Sequence, residues 1–306
     1  MNFFQTVNRA KTGFSIAGRP RTARSDENIH SVDDVVRDTP TKSVRSISSE
    51  TGINRESVRR IMKKDLNLKA YKIPIVQKLS EADFDSRLTA CRNFITMLET
   101  EPDIKSRLLM TDESLFTLDN TVSPSHARHW SNIKPKTVQQ KPMQPARQLV
   151  WCGMSATHVI GPYYFDGPVT GQSYRDMITD FLMPELRRLR LVRTIIFQQD
   201  GAPAHTADAT IEQLQATFRE RLISRRCDIT WPARSPDLSP PDFFLWGTLK
   251  LKVKRRSPQT IEEMKEYLEE EIATLNQNKE LLRSVHDNFV HRLHICVQSG
   301  GGHVLF

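Results

Sequence analysis

Residues 194–205 read Thr-Ile-Ile-Phe-Gln-Gln-Asp-Gly-Ala-Pro-Ala-His. The run Thr194–Phe197 is short, apolar and β-branched, which predicts a buried strand. Asp200 lies just past its end, and Gly201 and Pro203 favour a tight turn beside the acid. Helical spacing then takes over from Thr206 to Phe218, with Ala207, Ile211, Leu214 and Phe218 in register. A strand, an acid, a turn and a helix in that order mark an α/β layer. His205 is close to the acid, and is read either as its polar neighbour or as a cap for the helix.

The flanking sequence extends this pattern. Leu108–Asp112 is a second apolar run ending in an acid, and residues 149–154 and 159–165 read as further strands. Residues 174–189 form an amphipathic helix with Met177, Ile178, Phe181, Leu182 and Leu186 on its apolar face. Strands followed by alternating helix and strand predict an α/β domain with a mixed sheet flanked by helices. Asp112 and Asp200 are thereby both placed at strand ends, where a rigid backbone can aim short side chains at one point. A single acid after a strand is ordinarily a turn or cap residue; two invite a site.

A third element runs from Trp231 to Gly247: Trp-Pro-Ala-Arg-Ser-Pro-Asp-Leu-Ser-Pro-Pro-Asp-Phe-Phe-Leu-Trp-Gly. It reads as a proline-rich turn entering an aromatic helix. Ser239 fits the N-cap, Pro240 the first helical position and Asp242 the third. Asp242 can cap this helix and still bind a metal. Asp237 competes with it, and the residues alone leave that choice open. Between the two ends of the chain, residues 73–105 read as a connector. Residues 73–76 are extended, and a helix over 81–98 shows Phe84, Leu88, Cys91, Ile95 and Leu98 on one face.

The N-terminal quarter has a different character. The net charge is +8, yet residues 1–80 hold 16 Lys and Arg against 8 Asp and Glu, while residues 81–306 hold 28 of each. Such a localised basic excess is the footprint of a nucleic-acid partner. Within it, Gly18-Arg19-Pro20-Arg21 has the form of a minor-groove hook, with Arg19 and Arg21 reaching toward A·T-rich DNA. Further on, residues 43–51 and 55–64 read as two helices separated by Gly52, with Asn54 as N-cap. An earlier helix carries Ile29, Val32, Val35 and Val36. This is a helix-turn-helix layout. Arg55, Arg59, Arg60, Lys63 and Lys64 lie on the polar side of its second helix, as phosphate and base-edge contacts require. The bland alternative is a three-helix bundle with a solvated basic face.

Several classes of protein are disfavoured. No apolar run approaches the ~20 residues of a membrane span, and the start of the chain lacks the charged and apolar regions of a secretory signal. The sequence therefore reads as soluble and intracellular. Cys91, Cys152, Cys227 and Cys296 are far apart and form no Cys-x-x-Cys pair, which supports neither a zinc site nor a disulfide framework.

Three blocks make the chain resemble the mariner superfamily of cut-and-paste DNA transposases. They are Thr111-Asp112-Glu113-Ser114-Leu115-Phe116, Gln198–His205 and Ser235–Gly247, in the order and context that the family shows. The Gly-Arg-Pro-Arg segment also lies beside a helix-turn-helix, as it does in that family. The resemblance implies a ribonuclease H-like catalytic fold and an acidic triad at Asp112, Asp200 and Asp242. It favours Asp242 over Asp237, because the family's third acid directly precedes the Phe-Phe-Leu-Trp helix. Asp200 and Asp242 are separated by 41 residues, which suits branches of the family whose last acid is Asp. The implied domains are a basic tail (1–27), a helix-turn-helix domain (28–72), the connector (73–105) and the catalytic domain (106–306).

The resemblance also implies a chemistry. Two Mg²⁺ or Mn²⁺ ions about 4 Å apart activate water and stabilise the leaving oxygen of a phosphodiester, and such hard cations take carboxylate ligands. With a DNA 3′-OH in place of water, the same site joins strands. The expected partners are double-stranded DNA, at terminal inverted repeats and a TA target, and a second copy of the chain; the expected location is the nucleus. Family members usually carry a further helix-turn-helix before the Gly-Arg-Pro-Arg segment, whereas here only 17 residues precede Gly18. Residues 1–16 are expected to be extended or poorly ordered, or at most to form one short helix, and terminal-repeat DNA to be preferred only weakly over random DNA. Two alternatives are a transposase-derived DNA-binding protein that no longer transposes, and a ribonuclease H-like nuclease of host metabolism, against which the helix-turn-helix argues.

The basic helix yields a first prediction. Combining Arg59→Ala with Lys63→Ala weakens DNA binding and flattens the log–log salt dependence by roughly one unit for each phosphate that the helix no longer neutralises. Titrations at several salt concentrations measure this, and an unchanged slope means that the helix does not meet phosphates.

Overall fold

Caps set the short helices of the N-terminal region. In a computed structural model that describes residues 22–71, 76–118, 144–225, 227 and 229–305, Ser25 opens α1 (Asp26–Asp38) by accepting the Asn28 amide. Ser43 opens α2 (Val44–Thr51) in the same way through Ser46. Gly52 ends α2 at φ 70°, a left-handed conformation that glycine adopts without a Cβ penalty. Asn54 then caps α3 (Arg55–Arg60), which continues through a wider turn over Ile61–Asp65. Val32, Ile47, Ile53, Val58 and Ile61 are buried together and form the small core of this unit. Arg55, Arg59, Arg60, Lys63 and Lys64 are all exposed. Glu56 holds both Arg59, at 2.7 Å, and Arg60, at 3.5 Å. Arg19, Arg21, the segment 1–16 and residues 73–75 of the expected extended stretch lie outside the described residues.

The chain divides into two units, Met1–Pro74 and Ile75–Phe306. The second unit is built on one sheet. Its strands are β1 (Leu108–Thr117), β2 (Arg147–Met154), β3 (Val159–Phe165), β4 (Ile196–Gln198) and β5 (Leu222–Ile223), arranged in the order β3-β2-β1-β4-β5. The first three form an antiparallel meander. β4 and β5 join parallel to β1 and to each other, so the sheet is mixed.

Helices cover both faces. Before the sheet come α4 (Glu81–Thr100) and α5 (Ile104–Arg107). Between β3 and β4 runs one continuous helical segment: α6 (Gly171–Met177), a wide turn over Ile178–Leu182, and α7 (Met183–Arg188). After β4 come α8 (Pro203–Thr206) and α9 (Asp208–Phe218). Beyond β5, a wide turn over Pro241–Trp246 leads into α10 (Gly247–Arg256), followed by α11 (Ile261–Gln277) and α12 (Lys279–Gln298). The period-2 alternation of the strands decides which layer each residue meets. Val150, Cys152 and Met154 pack with α10, α11 and α12. Their neighbour Trp151, with Leu109 and Phe197, packs with α6, α7 and α9. Leu108 and Met110 face Phe94 of α4 and Phe289 of α12. On the edge strand, Asn276 of α11 takes the place of a missing strand partner: its side chain accepts from the Val159 N–H at 2.8 Å and donates to the Val159 carbonyl at 2.9 Å. Among the described residues, no helix is long and apolar enough to cross a membrane.

The structure corrects several sequence expectations. Asp112 does not end its strand, because β1 runs on to Thr117 in register with β2. It is the parallel pairing with β4 that stops, at Met110↔Gln198. The strand expected at Thr194–Phe197 is shifted to Ile196–Gln198. The helix expected from Thr206 breaks at Ala207 into α8 and α9.

The buried side of α4 matches the expected stripe of Phe84, Leu88, Cys91, Ile95 and Leu98 only in part. Cys91 is buried and Ile95 and Leu98 pack half-buried on the same core, but Phe84 is exposed, and Asp83, Arg87, Ala90 and Phe94 are buried. The reason is Arg87. This fully buried guanidinium donates to Asp237 at 2.7 and 2.9 Å, to Ser235 Oγ at 2.8 Å, and to the carbonyls of Gly301 and Gly302 at 2.8 and 3.1 Å. Asp237 also accepts the Val304 N–H at 2.8 Å. Gly301 is needed for this approach. Its φ is 90°, and a Cβ there would fall 2.1 Å from the Phe84 carbonyl oxygen.

Removing one partner of a buried pair strands the other charge. Asp237→Asn is therefore expected to lower the unfolding free energy by about 3–5 kcal/mol, read from urea melts. Combining it with Arg87→Met is expected to recover part of that loss; a double variant no more stable than Asp237→Asn alone counts against an unpaired guanidinium as the cause.

Candidate active site

Asp112, Asp200 and Asp242 come from different parts of the fold and line one cavity of about 800 Å³. The sheet accounts for two of them. The β1–β4 ladder pairs Leu108 with Ile196 and Met110 with Gln198. Carried two residues further, the same offset sets Asp112 opposite Asp200, where the two chains have parted. Thr111 holds the last rung by donating to the Gln198 carbonyl at 2.9 Å. The third acid arrives on the wide turn that precedes α10, where the Asp242 and Phe243 amides both bond the Ser239 carbonyl. Asp237, the competing acid, does not line the cavity; it is committed to Arg87 and Val304.

Each acid has a distinct electrostatic setting. Burial and the nearby Asp242 charge raise the proton affinity of Asp112 well above the usual carboxylate range, although the Trp246 indole donates to its Oδ2 at 2.7 Å. Desolvation also pushes Asp242 up to about 6, against the hydrogen bond from Ser239. Two carboxylates that share a desolvated space resist being ionised together. Asp200 behaves differently. Desolvation opposes its charge as well, but the hydrogen bond and charge of His205 prevail and its pKa falls.

His205 is the hub of a second, buried network. Desolvation disfavours its charge, but its bonds to Asp200 and Glu113 raise it to about 10, so at neutral pH it is an imidazolium. Its Nδ1 lies 2.6 Å from Asp200 Oδ1 and its Nε2 lies 3.2 Å from Glu113 Oε1. Tyr174 lies against the ring at a centroid distance of 4.2 Å. The Tyr174 hydroxyl donates to Gln199 Oε1 at 3.0 Å, and Gln199 Nε2 donates to the His205 carbonyl at 2.9 Å and to Ser224 Oγ at 3.0 Å. The His205 side chain thus positions Asp200 rather than capping the helix. Sequence reasoning misses Glu113, Trp246 and Gln199 as parts of the site. The available signals are the adjacency of Glu113 to Asp112, whose side chains alternate across the strand, and the place of Trp246 one turn after Asp242.

The donor set suits a hard divalent cation. Burial presses the proton affinities of Asp112 and Asp242 upward, with the neighbouring acids adding to it, and a bound cation would reverse this. Asp200 takes both the His205 proton and the Ala202 N–H on Oδ1, at 2.6 and 3.0 Å. Oδ2 is left without a hydrogen bond among the described residues. As the side chains stand, no three His, Cys, Asp or Glu among the described residues are gathered tightly enough to enclose an ion.

No family model matches the chain. It is 25% identical over 192 residues to the Tc3 transposase of Caenorhabditis elegans, a match covering 60% of this chain and 55% of that protein. It is 29% identical over 106 residues to the Tcb1 transposase of Caenorhabditis briggsae, covering 35% and 36%. The chain thus spans about half the length, or less, of these relatives. Among solved structures it is similar to the Mos1 transposase paired-end complex with left transposon end, with a TM-score of 0.66 at 18% identity over 94% of this chain and 81% of that one. It is also similar to the catalytic domain of Mos1 mariner transposase, with a TM-score of 0.58 at 19% identity over 76% and 100%. The second unit has this ribonuclease H-like fold.

The raised proton affinity of Asp242 carries a stability consequence. The acid is protonated in both folded and unfolded chains at low pH, so it costs nothing there. As pH rises from the ordinary carboxylate range through about 6, ionisation favours the unfolded chain. Asp242 is partly open to solvent, and screening leaves about 1 kcal/mol of this penalty at pH 7. In the metal-free protein at that pH, Asp242→Asn is therefore expected to raise the melting temperature by roughly 2–3 °C. The gain vanishes near pH 4, where the native acid is protonated; a variant that melts lower than wild type at pH 7 contradicts it.

Proposed function

We propose that this chain, a relative of the mariner and Tc1 transposases, cleaves DNA and joins the ends through Asp112, Asp200 and Asp242. The observation that carries the reading is the meeting of three carboxylates, from β1, the end of β4 and the turn before α10, in a single open cavity. Their chain order and motifs match the pattern on which the resemblance rests. The two curated relatives are transposases by name, and Mos1 has been solved with a transposon end and, separately, with Mn and with Mg.

In this reading Asp112, Asp200 and Asp242 hold two Mg²⁺ or Mn²⁺ ions. When bound, these supply an activated nucleophile and stabilise the leaving oxygen of the scissile phosphodiester. The residues of the chain do the rest. His205, braced by Glu113 and packed against Tyr174, keeps Asp200 ionised and fixed through Oδ1, so that Oδ2 is free to bind. The Trp246 indole fixes Asp112 through Oδ2. Water serves as nucleophile for cleavage and a DNA 3′-OH for joining.

The N-terminal unit, residues 28–72, is assigned to DNA binding through Arg55, Arg59, Arg60, Lys63 and Lys64, with Arg19 and Arg21 as a minor-groove hook. The substrate is double-stranded DNA, with terminal inverted repeats as the donor site and TA as the target. A second copy of the chain is the protein partner, and the nucleus is the place of action.

Asp200→Asn removes one charged ligand and keeps the shape of the side chain. It is expected to abolish nicking of supercoiled plasmid in Mg²⁺ or Mn²⁺ while leaving DNA affinity within about twofold of wild type, because binding rests on the basic unit. Variant protein that nicks as fast as wild type in Mn²⁺ overturns the three-carboxylate mechanism.

A further inference from the structure

The helix that leaves the active cavity is basic, and its charges are not treated alike. On α10, Lys252 bonds Glu271 at 2.6 Å and Arg256 bonds Glu270 at 2.6 Å, so these two cations are neutralised against α11. Lys250 and Lys254 are exposed and have no carboxylate bonded to them among the described residues. Lys250 is linked to the cavity through Phe116, whose ring packs edge-on at 6.1 Å against Trp246, the partner of Asp112. The Lys250 Nζ lies over the Phe116 ring at 5.4 Å. With Lys254, Leu115, Phe116 and Thr117 it lines a shallow groove of about 310 Å³ between α10 and the far end of β1. On the other side of the carboxylates, Arg225 lines the active cavity, also exposed and without a bonded carboxylate among the described residues.

We propose that Lys250 and Lys254 form a phosphate track that carries the DNA strand away from the three carboxylates along α10. Two divalent ions would offset the three acids at the reacting phosphodiester but not the phosphates beside it, so the flanking strand is held by cations of the protein. Lys250 is the first cation of this helix after Asp242, and Lys254 follows one turn later. At ~1.5 Å of rise per residue the two are spaced by ~6 Å, on the scale of neighbouring phosphates in one strand. The long, solvated lysine stem suits a point contact with phosphate and reads no base, so this surface is indifferent to sequence. The inference rests on the reading of the carboxylates as a DNA-cutting site and adds to it the course of the bound strand.

The test is lysine footprinting of the full chain. Acetylation of each lysine is read by mass spectrometry with and without a short duplex of arbitrary sequence, in Ca²⁺ to hold back cleavage. Bound DNA is expected to protect Lys250 and Lys254 several-fold and to leave Lys252 unchanged. In parallel, Lys250→Ala with Lys254→Ala is expected to flatten the log–log salt dependence of binding by roughly 1.8 units, and the two Lys→Arg changes to restore it. Unprotected Lys250 and Lys254, or an unchanged slope in the double alanine variant, overturns the track. So does an equal flattening by Lys252→Ala, which would make the effect one of total charge. Wild-type protein that protects both lysines yet never nicks plasmid in Mn²⁺ sinks the cleavage reading and leaves the track standing. Nicking without protection sinks the track alone, and a chain that binds no DNA sinks both.

Discussion

The guanidinium of Arg87 cannot be left alone in a protein interior, and much of the second unit is arranged around satisfying it. Its partners come from the segment that leads to Asp242 and from the residues after α12. One side chain on α4 therefore fastens three distant stretches of chain. The segment from Trp231 to Ser239 has little regular hydrogen bonding of its own beyond a single short turn at Pro236–Leu238. Its course is fixed largely by that charge and by the burial of Trp231 and Leu238. The position of Asp242 at the cavity follows from this anchoring. Asp237, its rival on sequence grounds, is instead the counter-ion that keeps the anchor in place.

The cavity is the reverse case, a place where charge is left uncompensated. Asp112 and Asp242 lack the bonded guanidinium that Asp237 has, and desolvation carries their pKa values up. Asp200 is kept ionised by a buried imidazolium whose own charge is balanced by Glu113. The outcome is an asymmetric site: one acid fixed and charged, two acids competing for a proton until positive charge arrives. Folding stability is given up locally, which is the usual condition of sites whose partner is an ion.

Some of this is legible in the sequence. Apolar runs mark β2, β3 and the neighbourhood of β4, and the serine, glycine and asparagine caps mark the N-terminal helices, because these signals are local. The three acids are visible through motif context rather than through physics, since a lone aspartate after a strand resembles any turn residue. What stays hidden is non-local. The buried side of α4 is only partly visible to hydrophobic periodicity when its central residue is an arginine whose partner is 150 positions away. β5 is two residues long and exists only as a neighbour of β4. The link from Glu113 through His205 to Asp200 depends on strands that the sequence does not place side by side.

Asn276 has a consequence for how this protein meets copies of itself. A sheet edge with free N–H and C=O groups invites another strand, and with it aggregation. At β3 the side-chain amide of Asn276 already occupies the donor and acceptor of Val159, and Pro162 further along has no N–H to offer. At the opposite edge, β5 is too short to serve as a template. Among the described residues, self-association by extending the sheet is discouraged at both margins, so a second copy reaching these edges would meet them through side chains, where geometry can be selected residue by residue.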